Sequence, residues 1–372
     1  LGKEQIVVAS FAGRVQAGEN YAHGQASLEG NIRGWAFIAP GGRQIPMFYP
    51  YGDFGSRACG GELAASPRYI SIELIRTWPL IFPDADLEIL DYNFDEGKRR
   101  EPKYFVPVIP MACLDNVQQP AHGWKINIFA RCVRSVALQT RVRIERMRSG
   151  LETTPLTRGT LPLASDCEQR FINGKLYSMG SYVLRCNTLI VTGLPYRVWT
   201  NKYVEYIKKH KTAVIAAGPV PVRDKSSDTK IHIEIDLMPD ALARIADYAT
   251  QWSDCIEEYF MLKHSLTPHL NLVGAQGQVI EFDSYEAIWE LWFAERLQLY
   301  QRRVERCIVR NSAFVTYYEN LVRYIRDPFR MATMTVPEME SRLTAEGYTR
   351  IDRARLFRLT FDKTEELNDI IF

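Results

Sequence analysis

A tyrosine beside an arginine, at the end of a glycine-rich segment, is the pair of residues in this sequence best suited to chemistry. The pair is Arg68-Tyr69, which follows Pro67. The segment before it contains the glycines Gly52, Gly55, Gly60 and Gly61. Glycine lets the backbone adopt positive φ angles and approach a ligand closely. Because Pro67 restricts the residue before it to extended backbone, we expect a stiff, irregular segment that presents Arg68 and Tyr69.

A phenol beside a guanidinium is suited to covalent catalysis on a phosphodiester. Tyrosine, with a pKa of about 10, is a weak nucleophile at neutral pH but a good leaving group in the reverse step. Its phosphate ester keeps the energy of the broken bond, so the break is readily resealed. Arg68 could hold the phosphate through two hydrogen bonds and offset charge in the transition state. On the residue pattern alone, a structural role for the Arg-Tyr pair stays open.

The segment resembles the active-site region of type IIA DNA topoisomerases. The matching stretches are Gly52-Asp53-Phe54-Gly55-Ser56-Arg57, Gly60-Gly61 and Ser66-Pro67-Arg68-Tyr69-Ile70. They are similar to that family's G-x-F-G-[ST]-R, G-G and S-P-R-Y-I. The resemblance implies that Tyr69 attacks DNA and that Arg68 is its partner.

A second match lies upstream of the tyrosine. Tyr21-Ala22-His23-Gly24-Gln25 is similar to the family's Y-H-H-G-E and lies at the family's distance from Gly52. The resemblance implies that His23 contacts the scissile phosphate or assists proton transfer. A histidine that bonds to backbone at the start of a helix is the alternative interpretation.

The resemblance continues downstream. Glu101–Met111 is similar to E-P-x-[WY]-[YF]-[IV]-P-[IV]-[IL]-P, and Gly193–Thr200 is similar to E-L-P-x-R-x-W-T. Arg158-Gly159-Thr160-Leu161 resembles a [KR]-G-T-I segment whose apolar side chain wedges between base pairs and bends the DNA. The resemblance therefore implies an intercalating role for Leu161. Leu176 is the competing candidate, and a core leucine is the alternative for both.

Three positions depart from the family's pattern. Glu62 stands where lysine is usual, which removes a positive charge near the DNA, and Ala22 replaces the first histidine. Residues 116–124 replace a glycine-rich G-x-G-T-G-W loop. This last variant resembles most closely the enzymes of large nucleocytoplasmic DNA viruses such as African swine fever virus.

Composition and charge set the limits for these interpretations. The chain has 372 residues, 46% apolar and 24% charged, which is typical of globular domains and excludes disorder for most of it. A net charge of +2 excludes a polycation. Basic residues nevertheless cluster over residues 125–148, where Glu145 is the one acid. Such clusters bind phosphate without sequence preference, although a solvated helix face is the alternative. The predicted DNA contacts are Arg57, Lys125, Arg131, Arg134 and Arg158.

Several classes of site are excluded by what the sequence lacks. The seven cysteines contain no C-x-x-C pair, which is typical of reduced intracellular thiols and excludes a four-ligand zinc site. No apolar run reaches the roughly 18 residues of a membrane span, and no nucleotide-binding loop occurs. Asp84-Ala85-Asp86 imitates a metal-binding D-x-D, but we expect it to form a turn, so no metal site is predicted in this chain. The chain lacks a signal peptide and an initial methionine, and we expect it to begin inside a larger one.

The elements that would position these residues predict an α+β fold in three parts. The resemblance implies a winged-helix domain over residues 1–75 with Tyr69, a mixed α/β tower domain over 76–275, and a coiled-coil arm over 276–372, incomplete towards a C-terminal gate. Apolar runs and period-two alternation predict strands at 189–192 and 231–237.

A long helix is the most strongly patterned element. Asp283 followed by Glu286 has the spacing of a capping box, and apolar residues recur at three and four from Phe293 to Ile325. Some 40 residues at about 1.5 Å each would make a rod of roughly 60 Å, which must pack on a second helix. Two shorter helices with a bend near Asn311 are the alternative.

The resemblance implies the breakage and reunion part of an ATP-dependent type IIA topoisomerase, an isomerase. Its partners would be double-stranded DNA and a second copy in a C2 homodimer, without a membrane. Mg²⁺ and ATP would be bound mainly by Toprim and ATPase domains absent from this chain, which alone would be inactive. The enzyme would be intracellular, in the host cytoplasm or viral factory if viral and in the nucleus if cellular. A non-catalytic DNA-binding clamp is the alternative, and a tyrosine recombinase is a remoter one that lacks its Arg-His-Arg set.

Overall fold

The structure is a computed structural model with a mixed α+β fold. It describes residues 4–18, 24–37, 43–95, 97–121, 123–163, 167–227, 230–246, 252–274, 276–326 and 334–349. The chain divides into two compact units. The first contains Leu1–Ile81 and Ile109–Trp292, and the second contains Phe82–Val108 and Phe293–Phe372. The three sequence domains stay a prediction.

Helices and strands alternate along the described chain. The helices are α1 (Val8–Gly18), α2 (Gln25–Ala36), α3 (Trp78–Ile81), α4 (Met111–Leu114), α5 (Val133–Arg148), α6 (Thr200–His210), α7 (Ala241–Ile245), α8 (Trp252–Tyr259), α9 (Tyr285–Arg326) and α10 (Val336–Ala345). The strands are β1 (Ile6–Val7), β2 (Phe48–Tyr51), β3 (Ser71–Leu74), β4 (Tyr92–Asp95), β5 (Lys98–Pro102), β6 (Val117–Ala121), β7 (Trp124–Ile128), β8 (Glu168–Ile172), β9 (Lys175–Met179), β10 (Ser181–Arg185), β11 (Thr188–Gly193), β12 (Val222–Asp224), β13 (Ile233–Asp236), β14 (Lys263–Leu266), β15 (Asn271–Val273) and β16 (Val279–Glu281).

The N-terminal part of the first unit is a small antiparallel sheet with two helices. The strands lie in the order β1-β3-β2, and Pro50 in β2 pairs with Ile72 in β3. β2 is an edge strand, where a proline without an N–H is tolerated. Leu28 and Ile32 of α2 are buried along with Ile72. The connection from β2 to β3 carries the whole glycine-rich segment and Tyr69.

The main core of the first unit surrounds a sheet in the order β10-β11-β13-β12. Val191 of β11 pairs with Ile233 of β13, and both are fully buried with Ile207 of α6. The strand predicted at 189–192 is confirmed within β11. The strand predicted at 231–237 is confirmed in its centre, although β13 is shorter than the prediction at both ends.

The segment that departs from the family's glycine-rich loop forms a β-hairpin. β6 and β7 pair antiparallel, with Pro120 opposite Lys125 and Val117 opposite Ile128. Asn116, just before the hairpin, accepts a hydrogen bond from the backbone N–H of Ala130 at 2.9 Å. The hairpin is therefore closed at its base by a side chain as well as by its ladder.

The long helix α9 runs unbroken over 42 residues from Tyr285 to Arg326, so the single helix is confirmed over the alternative with a bend near Asn311. Its predicted cap is wrong. The backbone N–H of Ala287 donates to Oγ of Ser284 at 3.2 Å, so Ser284 and not Asp283 is the N-cap residue.

The second unit contains the hairpin of β4 and β5, the C-terminal part of α9, and α10. Asp84–Asp86 forms one turn of 3-10 helix, which confirms the predicted turn. Asp86 is buried, and its Oδ2 lies 2.5 Å from Nη1 of Arg296, itself buried. This carboxylate therefore belongs to an ion pair. In the part of the chain that the structure describes, no helix is long and apolar enough to cross a membrane.

Candidate functional site

Tyr69 lies on an exposed turn whose two ends are fixed by backbone hydrogen bonds. Its side chain is 83% exposed, and its N–H donates to the carbonyl of Ser66 at 2.9 Å. On one side, Ala9 N–H donates to the carbonyl of Pro67 at 3.1 Å, and on the other Val8 N–H donates to that of Ile70 at 3.0 Å. The start of α1 therefore holds the turn, while the phenol remains accessible to a large substrate.

Arg68 and Arg57 lie on the same β2–β3 connection as Tyr69. Arg68 is exposed beside the tyrosine, and Arg57 is half-buried. Ile70, directly after the pair, is 1% exposed and fixes the end of the turn in the core. The structure thus places the predicted nucleophile and two predicted phosphate contacts on one connection.

Two glycines allow this connection to fold on itself. Gly55 has a φ of +87°, and a Cβ atom there would lie 2.7 Å from the Cα of Gly61. Gly60 has a φ of +65°, and a Cβ atom there would lie 2.3 Å from the indole of Trp199. Real Cβ atoms do not come so close to other atoms, so both positions require glycine.

Polar contacts close the loop between these glycines. Oδ1 of Asp53 accepts the N–H of Gly55 at 2.8 Å, and the carbonyl of Asp53 accepts the N–H of Ala65 at 2.9 Å. The carbonyl of Ser56 accepts the N–H of Gly61 at 3.1 Å. Hydrogen bonds from the side chain and backbone of Ser56 lower the pKa of the Cys59 thiol.

Glu62, the departure from the family's lysine, forms an ion pair. Its Oε1 lies 2.5 Å from Nζ of Lys202 in α6, and both side chains are more than half exposed. A positive charge is therefore present next to the loop, although it comes from a residue 140 positions away. The sequence alone did not identify Lys202, because only the fold brings the two positions together.

A cleft of about 870 Å³ lies beside the loop. Its basic lining residues are Arg57, Arg197, Lys225, Lys230 and His232, and no acidic residue lines it among those that the structure describes. Lys225 and His232 both contact the carboxylate of Glu234, at 2.7 and 3.1 Å. Lys225 and Lys230 were missed from the sequence, since neither lies in a family motif or a basic run.

The basic run predicted over 125–148 forms β7 and α5. Lys125 and Arg134 are exposed, as are three further arginines, Arg141, Arg146 and Arg148. Arg141 pairs with Glu145 one helical turn away at 2.8 Å. A mostly exposed basic helix is thus present, and its partner stays a prediction.

Arg131 is placed differently from the other predicted DNA contacts. It is 6% exposed, its guanidinium carbon lies 3.6 Å from the ring centre of Tyr285, and its Nη1 donates to the carbonyl of Leu161 at 3.2 Å. A guanidinium so enclosed stabilises the fold. In this conformation Arg131 does not face a ligand.

The segment with Arg158 and Leu161 is held by a buried acid of α9. Oε1 of Glu286 accepts the N–H of Gly159 at 3.0 Å and that of Leu161 at 3.2 Å. Glu286 is 4% exposed, so these hydrogen bonds satisfy a buried carboxylate. They leave the Arg158 side chain exposed at the tip of the segment.

Neither candidate for intercalation is presented to solvent. Leu161 is 2% exposed and Leu176 is 9% exposed, and Leu176 packs in a core cluster with Phe129 and Leu266. A side chain in either position would have to leave the core to reach base pairs. The intercalating role stays a prediction, and the core position is what the structure describes.

Two further expectations concern histidine and metal. His23 lies outside the described residues, so its role stays a prediction. Among the residues that the structure describes, no group of three or more histidines, cysteines or carboxylates could hold a metal ion.

Comparison with known proteins gives the same family throughout. The family model of DNA gyrase/topoisomerase IV matches residues 1–371. DNA topoisomerase 2 of African swine fever virus is 31% identical over 381 residues, which cover 97% of this chain and 32% of that protein. A putative mitochondrial DNA topoisomerase 2 of Caenorhabditis elegans is 28% identical over 94% of this chain and 30% of that protein. The chain thus spans about a third of the length of these relatives.

A solved structure gives the same fold. The chain resembles the crystal structure of the Plasmodium falciparum topoisomerase II DNA-binding, cleavage and re-ligation domain with a TM-score of 0.73. The two are 23% identical, and the match covers 93% of this chain and 46% of that one. The resemblance stated from the sequence motifs is confirmed, and viral enzymes are among the similar proteins. The chain belongs to the DNA gyrase/topoisomerase IV family.

Proposed function

We propose that this chain carries out DNA breakage and reunion as part of an ATP-dependent type II topoisomerase. The observation that carries the proposal is the exposed phenol of Tyr69 beside Arg68, on a turn held at both ends by the start of α1. An accessible nucleophile on a rigid turn is what attack on a bulky duplex requires. Membership of the family supports the same role for this tyrosine.

The reaction exchanges one phosphodiester for another. The Tyr69 oxygen bonds to phosphorus, the bond from phosphorus to the 3′ oxygen breaks, and the phenol's proton ends on that oxygen. The product is a 5′-phosphotyrosyl link, and the reverse reaction reseals the strand without an external energy source. Arg68 holds the phosphate and offsets its charge, with His23 as the proposed proton-transfer partner.

The N-terminal sheet and its helices form the winged-helix domain of this proposal. The β2–β3 connection would face the duplex, the rest of the first unit would form the tower, and α9 would begin a coiled-coil arm. Exposed apolar side chains along the second half of α9 support the arm. They include Val304, Ile308, Val315, Val322 and Ile325.

Duplex DNA is held in this proposal by exposed basic side chains. The predicted contacts that are exposed or half-exposed are Arg57, Lys125, Arg134 and Arg158. Lys202 joins them, because it brings a positive charge to the loop at the position of Glu62. Phosphate contacts of this kind give sequence-independent affinity that falls with salt.

The proposed enzyme acts as a C2 homodimer. One tyrosine per chain cuts one strand, so two copies cut both strands and let a second duplex pass. Mg²⁺ and ATP belong to Toprim and ATPase domains outside this chain. Since the described residues contain no suitable metal ligands, no step is assigned to a metal here. The enzyme would act in the nucleus, or in the host cytoplasm or viral factory if viral.

A plasmid cleavage assay tests the proposal. The chain is mixed with a Toprim-containing partner, Mg²⁺ and supercoiled plasmid, and the reaction is then denatured with detergent. Linear DNA attached to protein is the expected product, and Tyr69→Phe abolishes it while DNA binding is retained. DNA binding without any covalent product would favour the alternative, a non-catalytic clamp.

A further inference from the structure

Trp199 lies against the loop of the proposed nucleophile at the point where this loop reaches α6. A Cβ atom on Gly60 would lie 2.3 Å from Cε2 and 2.4 Å from Nε1 of Trp199. The indole therefore fills the space of a side chain at position 60. Because the loop backbone touches the ring directly, a shift of the ring would shift the loop.

The loop also caps the helix that follows Trp199. α6 begins at Thr200, and the residue before it provides no side-chain cap. The N–H groups of the first turn of a helix lack acceptors within the helix. The backbone N–H of Asn201 donates instead to the carbonyl of Ala58 at 3.0 Å. The helix start and the loop are thus held by one shared hydrogen bond next to the indole contact.

A third contact lies one residue further along α6. Nζ of Lys202 is 2.5 Å from Oε1 of Glu62, with side-chain exposures of 60% and 59%. An ion pair this exposed contributes little to stability. It adds direction to the two other contacts, so residues 199–202 meet the loop at Ala58, Gly60 and Glu62.

The loop transmits this fixation to the turn with Tyr69. Gly55 approaches the backbone of Gly61 so closely that a Cβ atom would lie 2.7 Å from its Cα. The carbonyl of Asp53 accepts the N–H of Ala65 at 2.9 Å. Ser66, the next residue, already accepts the N–H of Tyr69. Close backbone contacts therefore run from the indole to the nucleophile's turn.

We infer that Trp199 is a positioning residue for strand cleavage, which holds the loop of Tyr69 in its reactive conformation through contact with Gly60. The inference rests on the proposed function. Trp199 does not touch DNA or the reacting atoms in this account. It acts by keeping the nucleophile in line, and a misplacement of about 1 Å costs about 100-fold in rate.

The test measures covalent adduct formation and DNA binding separately in the complete enzyme. Trp199→Ala should slow single-turnover adduct formation by about 10-fold to 100-fold, with the Kd for DNA changed less than about 2-fold. Trp199→Phe keeps a flat ring and should restore the rate to within about 3-fold of wild type. Each variant's melting temperature separates slow cleavage from unfolding.

Gly60→Ala tests the same contact from the loop side and covers the case in which Trp199→Ala fails to fold. It should slow adduct formation, because the new methyl group collides with the indole. The matched control is Gly277→Ala, since Gly277 also has a positive φ of +81° but no atom within 4 Å of its Cβ position. In Gly60→Ala/Trp199→Ala the space is free again, so its rate should fall no further than that of Trp199→Ala.

Three outcomes would overturn the inference. One is a wild-type cleavage rate in Trp199→Ala, and another is equal rates in Gly60→Ala and Gly277→Ala. The third is a loss of DNA affinity and melting temperature that Trp199→Phe does not rescue, which would make Trp199 a structural residue only. If the wild-type enzyme itself formed no adduct at Tyr69, the proposed function would fail instead.

Discussion

At the scale of single residues, the site depends on a few positions where only one side chain fits. Tyr69 is exposed because its turn is held by backbone hydrogen bonds rather than by its own ring. Gly55 and Gly60 are required because another chain segment occupies the place of their Cβ atoms. Accessibility of the nucleophile and tightness of the loop therefore have separate causes.

Gly55→Ala should destabilise the protein by about 3 kcal/mol, because a positive φ and a backbone collision add together. Gly97→Ala is the control, since Gly97 has a φ of +77° and nothing within 4 Å of its Cβ position. It should cost about 1 kcal/mol. Urea unfolding measures both, and equal losses would contradict the collision with Gly61.

Arg131 and Arg134 should separate a structural arginine from a DNA contact. Arg131→Ala removes a buried guanidinium from Tyr285 and the Leu161 carbonyl, so it should cost about 3 kcal/mol of unfolding free energy. Arg134→Ala should change stability by less than about 0.5 kcal/mol. It should lower the salt slope of DNA binding by about 0.9 for one lost phosphate contact.

Filter binding at several salt concentrations measures that slope for the two arginine variants. The folded Arg131→Ala protein should keep the wild-type slope. A lower slope for Arg131→Ala, or an unchanged slope for Arg134→Ala, would contradict the assignment of these two residues.

At the scale of elements, α9 shows how a helix start serves the site next to it. Ser284 caps the helix, which leaves the carboxylate of Glu286 to hold the segment with Arg158. The sequence pattern assigned Glu286 to the cap of its own helix. One acidic residue can accept only a few hydrogen bonds, and here the neighbouring segment supplies the donors.

Ser284→Ala should therefore cost about 1 kcal/mol of unfolding free energy, the usual value of a lost N-cap. Asp283→Ala should cost less than about 0.5 kcal/mol, as for an ordinary surface position. Chemical denaturation of the two variants distinguishes the cap residues. A larger loss for Asp283→Ala would restore the capping box that the sequence predicted.

The strand pair β12–β13 should give the protein a specific sensitivity to acid. Hydrogen bonds from Lys225, His232 and Arg223 lower the pKa of Glu234 from 4.5 to about 2. A carboxyl whose folded-state pKa is lowered stabilises the fold above its ordinary pKa, and this contribution is lost as the pH falls towards the folded value. The loss should therefore occur from about pH 4.5 downwards.

Glu234→Gln should flatten the dependence of unfolding free energy on pH below about 4.5. Glu152→Gln, a change at an exposed carboxylate in the segment after α5, should keep the wild-type dependence. Urea unfolding at a series of pH values measures the three proteins. Parallel curves for wild type and Glu234→Gln would contradict the lowered pKa.

The sequence predicted what is written in neighbouring residues and missed what only the fold brings together. Tyr69 and Arg68 were predicted from contiguous motif residues, and α9 was predicted from its apolar period. Lys202 was missed because it meets Glu62 from a distance of 140 residues along the chain. The burial of Arg131 was missed because charge composition does not tell which basic residues face solvent.

At the scale of the whole molecule, the net charge of +2 is an average over unlike surfaces. Basic side chains lie on α5 and around the glycine-rich loop, whereas acids lie in ion pairs or hold backbone N–H groups, as Asp86 and Glu286 do. A nearly neutral chain can therefore present a basic surface to DNA.

The most direct test of the central claim is the identity of the residue that becomes linked to DNA. In the complete enzyme, cleaved DNA is trapped with detergent, digested with nuclease, and the attached peptide is sequenced by mass spectrometry. The account predicts a nucleotide on the Tyr69 oxygen, attached through a 5′ phosphate, and no linked peptide from Tyr69→Phe. A nucleotide on any other residue, or an adduct that persists in Tyr69→Phe, would contradict it.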